Sequence, residues 1–87
     1  MGKGYLNSTV RYKDKEIDIR FSKQLTLKDV KNLICSNKLD EFLSIHRDDW
    51  HLDVRGKLLQ IEQHRALEEY PLGNGDVLEV IINDRQN

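Results

Sequence analysis

A single cysteine, Cys35, cannot close a disulfide within the chain, and a lone thiol fits a reducing compartment. Long apolar runs are missing too: none approaches the roughly 20 residues that span a bilayer as a helix. The opening residues, MGKGYLNSTVRYK, lack the apolar centre of a secretory signal, and Leu6 stands where the myristoylation pattern begun at Gly2 needs Ser or Thr. Nor does one sign of charge dominate. With 14 basic and 15 acidic residues the formal charge is -1, which gives no general attraction to nucleic acid or anionic lipid. The expectation is a soluble cytoplasmic protein whose partner is another protein, with no nucleic acid and no direct membrane insertion.

The ingredients of chemistry are equally sparse. His46, His51 and His64 include no i, i+4 pair and come with no cysteine pair, so they do not read as a zinc site. Asp48 and Asp49 beside Arg47 lack the alternating acids and glycine turn of a calcium loop and read as a charged loop. Gly73-Asn74-Gly75-Asp76 resembles a phosphate-cradling loop, yet Val-Leu-Glu-Val-Ile-Ile follows, which is a strand and not the helix such a loop opens. A backbone turn with positive φ at one or both glycines is expected there. Cys35 falls near a helix C-terminus, where the local field disfavours a thiolate, and reads as structural or incidental. No nucleophile, base and oxyanion donor converge, so no enzymatic activity, cofactor or metal is expected.

What the chain does have is periodicity. Its 87 residues, 38% of them hydrophobic, suit one domain over 1–87, with an ordered part of about 4–83, flexible ends and a modest core. Leu6, Ser8, Val10 and Tyr12 alternate with Asn7, Thr9 and Arg11, which predicts a strand over 5–12 with one polar lapse on its inner face. Lys13, Asp14 and Lys15 make a turn. Ile17, Ile19 and Phe21 then alternate with Glu16, Asp18, Arg20 and Ser22, a second strand with a wholly polar outer face. From Leu25 the period lengthens to about 3.6, and Leu27, Val30, Leu33 and Ile34 fall on one helical stripe. Thr26 is the expected N-cap, Asp29 the acidic member of a capping box, and the helix should fade near Asn37. Residues 38–49 are expected to hold a short second helix, capped by Asp40, that drops Phe42 and Ile45 onto the rim of the core.

In the second half, Trp50, Leu52 and Val54 alternate with His51, Asp53 and Arg55, and Gly56-Lys57 turns the chain into a short strand at Leu58-Leu59. Leu67, Tyr70 and Leu72 are spaced to plug one end of the core, with Tyr70 bonding a nearby backbone group through its hydroxyl. Pro71 can continue neither helix nor ladder. In the last strand Leu78, Val80 and Ile82 should face inward, with Glu79 and Ile81 outward.

Taken together, Leu25-Thr26-Leu27, Val30, Lys31, Ile34, Leu52, Gly56-Lys57, Leu67, Tyr70, Leu72 and Leu78 resemble the framework of ubiquitin over nearly the whole chain. The segments Gly56-Lys57-Leu58-Leu59 and Gly75-Asp76-Val77-Leu78, with Leu67 and Tyr70 between them, are similar to the bacterial ubiquitin-like proteins of the YukD/EsaB kind, small accessory components of type VII secretion systems. The link from Gln60 to Ala66 looks longer than is usual there. The resemblance implies an α+β fold of the β-grasp class, a mixed five-stranded sheet packed on one main helix.

Two departures from ubiquitin bear on function. The chain ends Asn83-Asp84-Arg85-Gln86-Asn87 where a conjugated modifier ends in diglycine, so no covalent conjugation is expected. Asp53 stands where the resemblance places the central isoleucine of ubiquitin's recognition surface, and burying a carboxylate against an apolar partner is costly. The resemblance then implies a non-enzymatic accessory or regulatory protein of a type VII secretion system that binds a component of that machinery. The alternative is a ubiquitin-like adaptor in an unrelated complex. In the implied register the outward sheet face collects Thr9, Arg11, Asp18, Arg20, His51, Asp53, Arg55, Glu79 and Ile81. Of these, Arg11, Arg20, Asp53, Arg55, Glu79 and Ile81 are the candidate protein-binding residues, set against the plain alternative of a solvated face. Strand addition at the edge of the second strand is a further docking option.

Overall fold

The structure, a computed structural model, describes residues 4–56 and 61–83. Where the sequence alternates, strands form: β1 (Tyr5–Tyr12) and β2 (Lys15–Ser22) pair antiparallel, with Leu6 opposite Phe21 and Val10 opposite Ile17. The turn between them is shorter than expected, only Lys13 and Asp14, because Lys13 adopts a left-handed φ of 57° and lets Lys15 join the ladder opposite Tyr12.

The helix α1 (Leu27–Ser36) opens with the expected capping box. The Asp29 N–H donates to Thr26 Oγ1 at 3.0 Å, and the Thr26 N–H donates to Asp29 Oδ2 at 3.1 Å. Two amides that the end of a helix would leave unpaired are thereby satisfied. Leu27, Val30 and Ile34 are buried, but Leu33 is 37% exposed. Successive helical residues are about 100° apart, so Leu33 lies about 60° beyond Val30, at the margin of the buried stripe. Lys31 lies within about 40° of Leu27, on the core side. A stripe drawn through the apolar residues alone is therefore off-centre.

Lys38, at a φ of 59°, ends that helix, and α2 (Leu39–Phe42) follows as a single turn. It departs from expectation in two ways. No side chain caps it, Asp40 lying inside it, and Phe42 is 61% exposed while Leu43 and Ile45 are buried. Leu39 and Leu43 are four residues apart and share the inward face, which turns Phe42 outward.

Two further strands, β3 (Trp50–Val54) and β4 (Val77–Ile82), flank a 3-10 turn at Leu67–Glu69. The sheet order is β2-β1-β4-β3, four strands among the described residues against the five expected. The short strand expected at Leu58-Leu59 lies outside the described residues. β4 is parallel to β1 and antiparallel to β3, so the sheet is mixed, as a β-grasp requires. Its inward residues Val10, Leu52 and Leu78 meet Leu27, Val30 and Ile34 of α1 in one core, with Trp50, Leu43 and Leu67 closing its margins. Tyr70 Oη accepts the Glu62 N–H at 3.1 Å, the backbone bond expected of it.

The Gly73-Asn74-Gly75-Asp76 stretch is a turn, with positive φ at Gly75 (92°) and not at Gly73. It also extends the ladder of β1: the Gly75 N–H donates to the Asn7 carbonyl at 2.9 Å, and the Asn7 N–H donates to Asn74 Oδ1 at 2.9 Å. The Thr9 N–H donates to the Asp76 carbonyl at 3.2 Å. The turn thus seats β4 in parallel register on β1.

Candidate functional site

Side chains alternate across a strand, so burying Val10, Leu52 and Leu78 fixes which neighbours face outward. The register then lines up one residue from each strand. Glu16 pairs with Arg11, Arg11 with Glu79, and Glu79 with Asp53, a row that crosses the whole sheet. Arg55 reaches diagonally into this row, its Nη1 2.8 Å from Glu79 Oε2, and Arg11 Nε lies 3.6 Å from Glu16 Oε2. These pairs are partly exposed, and such pairs contribute only about 0–1 kcal/mol each. Their effect is to hold the guanidinium groups in place.

Asp53 directly faces Glu79, and like charges in that relation repel. The Asp53 carboxylate instead accepts the neighbouring Val54 N–H at 3.0 Å. Ile81 is half-buried opposite His51, whose ring is hydrogen-bonded to the Asn83 side-chain oxygen. Thr9 Oγ1 donates to Asp18 Oδ1 at 2.8 Å. Arg20 stands apart. Its guanidinium lies 4.9 Å from the centre of the Tyr5 ring, and its cross-strand partner is Asn7. Asn7 is four residues along β1 from Arg11, about 13 Å at strand spacing.

The structure therefore gathers Arg11, Asp53, Arg55 and Glu79 of the six candidates, places Ile81 at their flank and sends Arg20 to a far corner. Sequence reasoning turned Glu16 outward but left it out of the binding face, and it missed Val77 and Tyr5. The same alternation that turns Glu79 outward turns Val77 outward, so that signal was present. Tyr5, 51% exposed, needed only Leu6 inward beside it.

Other sequence features find plain places. Arg47 donates through Nε and Nη2 to both carboxylate oxygens of Asp49, a fork that raises the guanidinium pKa further. Burial pushes the Cys35 thiol pKa up, Asp40 adds to the rise, and Lys31 works against it. Among the described residues, no group of three or more His, Cys, Asp or Glu is placed to hold a metal, and no helix is long and apolar enough to cross a membrane.

Solved structures share the architecture. The C-terminal ubiquitin-like domain of mouse tubulin-specific chaperone e is 16% identical, with a TM-score of 0.68 over 100% of this chain and 95% of that one. The ubiquitin of Caldiarchaeum subterraneum is 16% identical, with a TM-score of 0.66 over 97% of this chain and 100% of that one. The ubiquitin-like domain of the Arabidopsis thaliana protein At2g32350 is 20% identical, with a TM-score of 0.65 over 99% of this chain and 87% of that one. At these identities the likeness is one of fold. No curated protein matches the chain in sequence. The model of the ubiquitin family matches residues 9–85, from within β1 to beyond β4, and the chain therefore belongs to the ubiquitin family.

Proposed function

We propose that the chain is a non-enzymatic interaction module that binds a protein partner non-covalently through its outward sheet face. Its proposed setting is an accessory or regulatory role in a bacterial type VII secretion system. The observation that carries the binding surface is the row Glu16, Arg11, Glu79 and Asp53, with Arg55 held on Glu79 and Ile81 beside it. Charges of both signs at fixed spacing around one aliphatic side chain reward a partner with the complementary order and penalise others. Asp53 opposite Glu79 leaves a local acidic excess that a partner's cation would relieve. The secretion setting is supported by the YukD/EsaB-like segments at residues 56–59 and 75–78. An adaptor role in an unrelated complex is the alternative.

The test is capture from detergent-solubilised bacterial membranes with the full chain as bait. Replacing Ile81→Ala and Arg55→Glu together is expected to abolish capture and leave the circular dichroism spectrum unchanged. Undiminished capture by that variant removes this face from consideration. Recovery of a secretion-system ATPase supports the setting, and recovery of an unrelated complex supports the adaptor role.

A second reading rests on the free side of β2. The Thr9 N–H points toward the Gly73–Asp76 turn, so the backbone groups of its opposite number Asp18 point away from β1. Among the described residues, no backbone hydrogen bond beyond the β1–β2 ladder engages Glu16, Asp18 or Arg20. The outer side of β3 is different: Lys31 Nζ donates to the Trp50 carbonyl at 2.7 Å and Gln63 Nε2 to the Leu52 carbonyl at 2.9 Å. An added strand would therefore use β2. Asp18→Pro removes one outward N–H at an edge position that tolerates proline, and loss of capture with this variant but not with Asp18→Ala would favour strand addition over the sheet face.

A further inference from the structure

On the far side of β3 from its sheet partner, a groove of about 240 Å³ runs between α1 and the segment that follows residue 60, lined by Lys28, Lys31, Asn32, Trp50, Gln63 and His64, with His51 at its edge. That is below the roughly 300–1,000 Å³ typical of small-molecule pockets and suits a side chain or two. Among the described residues, no acidic side chain lines it. Elsewhere Arg11, Arg47, Arg55 and Arg65 each meet a carboxylate, while Arg20 rests on the Tyr5 ring. Among the described residues, Lys28 and Lys31 meet no carboxylate.

Lys31 is the fixed member. Its Nζ donates to the carbonyls of Asp48 at 2.6 Å and Trp50 at 2.7 Å, and lies 4.7 Å from the centre of the Trp50 ring. Carbonyls and an aromatic ring hold an ammonium group without cancelling its charge, and one of its three N–H donors remains. Lys28, Asn32 and His64 have no side-chain partner among the described residues. Two ammonium groups, two amides and two imidazoles thus border one concavity with no carboxylate among its described lining residues.

The geometry points to this groove as the binding site for an acidic peptide segment of a partner protein, its Asp or Glu carboxylates received by Lys28 and Lys31. A phosphate site would use free amides at the start of α1, and those of Lys28 and Asp29 are already engaged. The Lys28 N–H donates to the Gln63 carbonyl at 3.1 Å, and the Asp29 N–H donates to Thr26 Oγ1 at 3.0 Å. What remains is side-chain donors, with the Asn32 amide able both to donate to and to accept from a peptide group. This surface meets the outward sheet face only at His51, and its test, which varies Lys28 and His64, does not depend on that reading.

The experiment is an NMR titration of the full ¹⁵N-labelled chain with hexaglutamate, with hexaglutamine, and with inorganic phosphate at matched ionic strength. Saturable shifts are expected with hexaglutamate alone, confined to residues 28–32, the Trp50 indole N–H and the neighbourhood of His64. Lys28→Glu combined with His64→Glu is expected to weaken binding by about tenfold or more while leaving the remaining resonances in place. If that variant fails to fold, Lys28→Gln gives the same direction of change. Shifts that do not saturate, that spread over the surface, or that persist in the variants overturn the proposal. An equal response to phosphate overturns the peptide assignment in favour of a small-anion site.

Discussion

Lys31 occupies a helical position that periodicity assigns to the core, and it works as a clamp. Its stem follows the buried stripe and its ammonium group ties α1 to the backbone leading into β3. Replacing Lys31→Met keeps the stem and removes the donors from two carbonyls. Despite the gain in apolarity it is expected to destabilise the chain by about 1–3 kcal/mol in urea unfolding. A value at or below zero would mean that water replaces the lysine. Cys35 offers a pH-dependent reading at the same scale. Its thiol pKa is raised, first by burial and then by Asp40, so the folded chain holds less thiolate than the unfolded chain at mildly alkaline pH. Iodoacetamide should therefore modify Cys35 more slowly in the folded chain than in urea. Because the folded value lies above the unfolded one, the associated stability is complete below the unfolded pKa and declines as pH rises through the folded pKa. Equal alkylation rates in the two states would refute the shift. A disfavoured Cys35 thiolate was expected from its place near the helix C-terminus, although burial and Asp40 are what raise its pKa. The role of Lys31 was not legible, since lysine is ordinarily solvated and its partners are carbonyls, which every residue has.

At the scale of elements, legibility followed the strength of the local pattern. The two alternating strands and the Thr26–Asp29 box are encoded by residues close in sequence, and both form where expected. Thr26→Ala removes one side of that box and should lower stability by about 1 kcal/mol, within about 0.5–2, with the loss visible in the thermal midpoint. No change would mean that the helix start is held wholly by packing. The segment after Asn37 was read less well because its outcome depends on a backbone choice that few residues announce. Lys38 in the left-handed region resets the phase of the next turn, so Leu43 and not Phe42 faces the core. The turn at Gly73–Asp76 was recognisable from its glycines. Its bonds to Asn7 and Thr9 were not, since they join residues far apart in the chain.

At the scale of the molecule, sequence alternation identified most outward residues but not their alignment, which is set by cross-strand register. The row through Glu16, Arg11, Glu79 and Asp53 exists only once four strands are assembled, which is also why Arg20, similar in sequence context to Arg11, falls outside it. Leu78 tests this assembly directly, being inward on a central strand and 1% exposed. Leu78→Ala is expected to cost about 2–5 kcal/mol. A loss under about 0.5 kcal/mol, the size usual at surfaces, would show the register to be wrong.

The position of β4 between β1 and β3 has a temporal consequence. As the ribosome delivers the chain from its amino end, the hairpin of β1 and β2 and the later strand β3 emerge before the strand that joins them. The piece that unites them comes last. Closing so long a loop is entropically expensive before any contact rewards it, which predicts slow, late and all-at-once acquisition of structure. Nascent chains halted before Val77 should accordingly remain protease-sensitive, however much of the sequence has already been made.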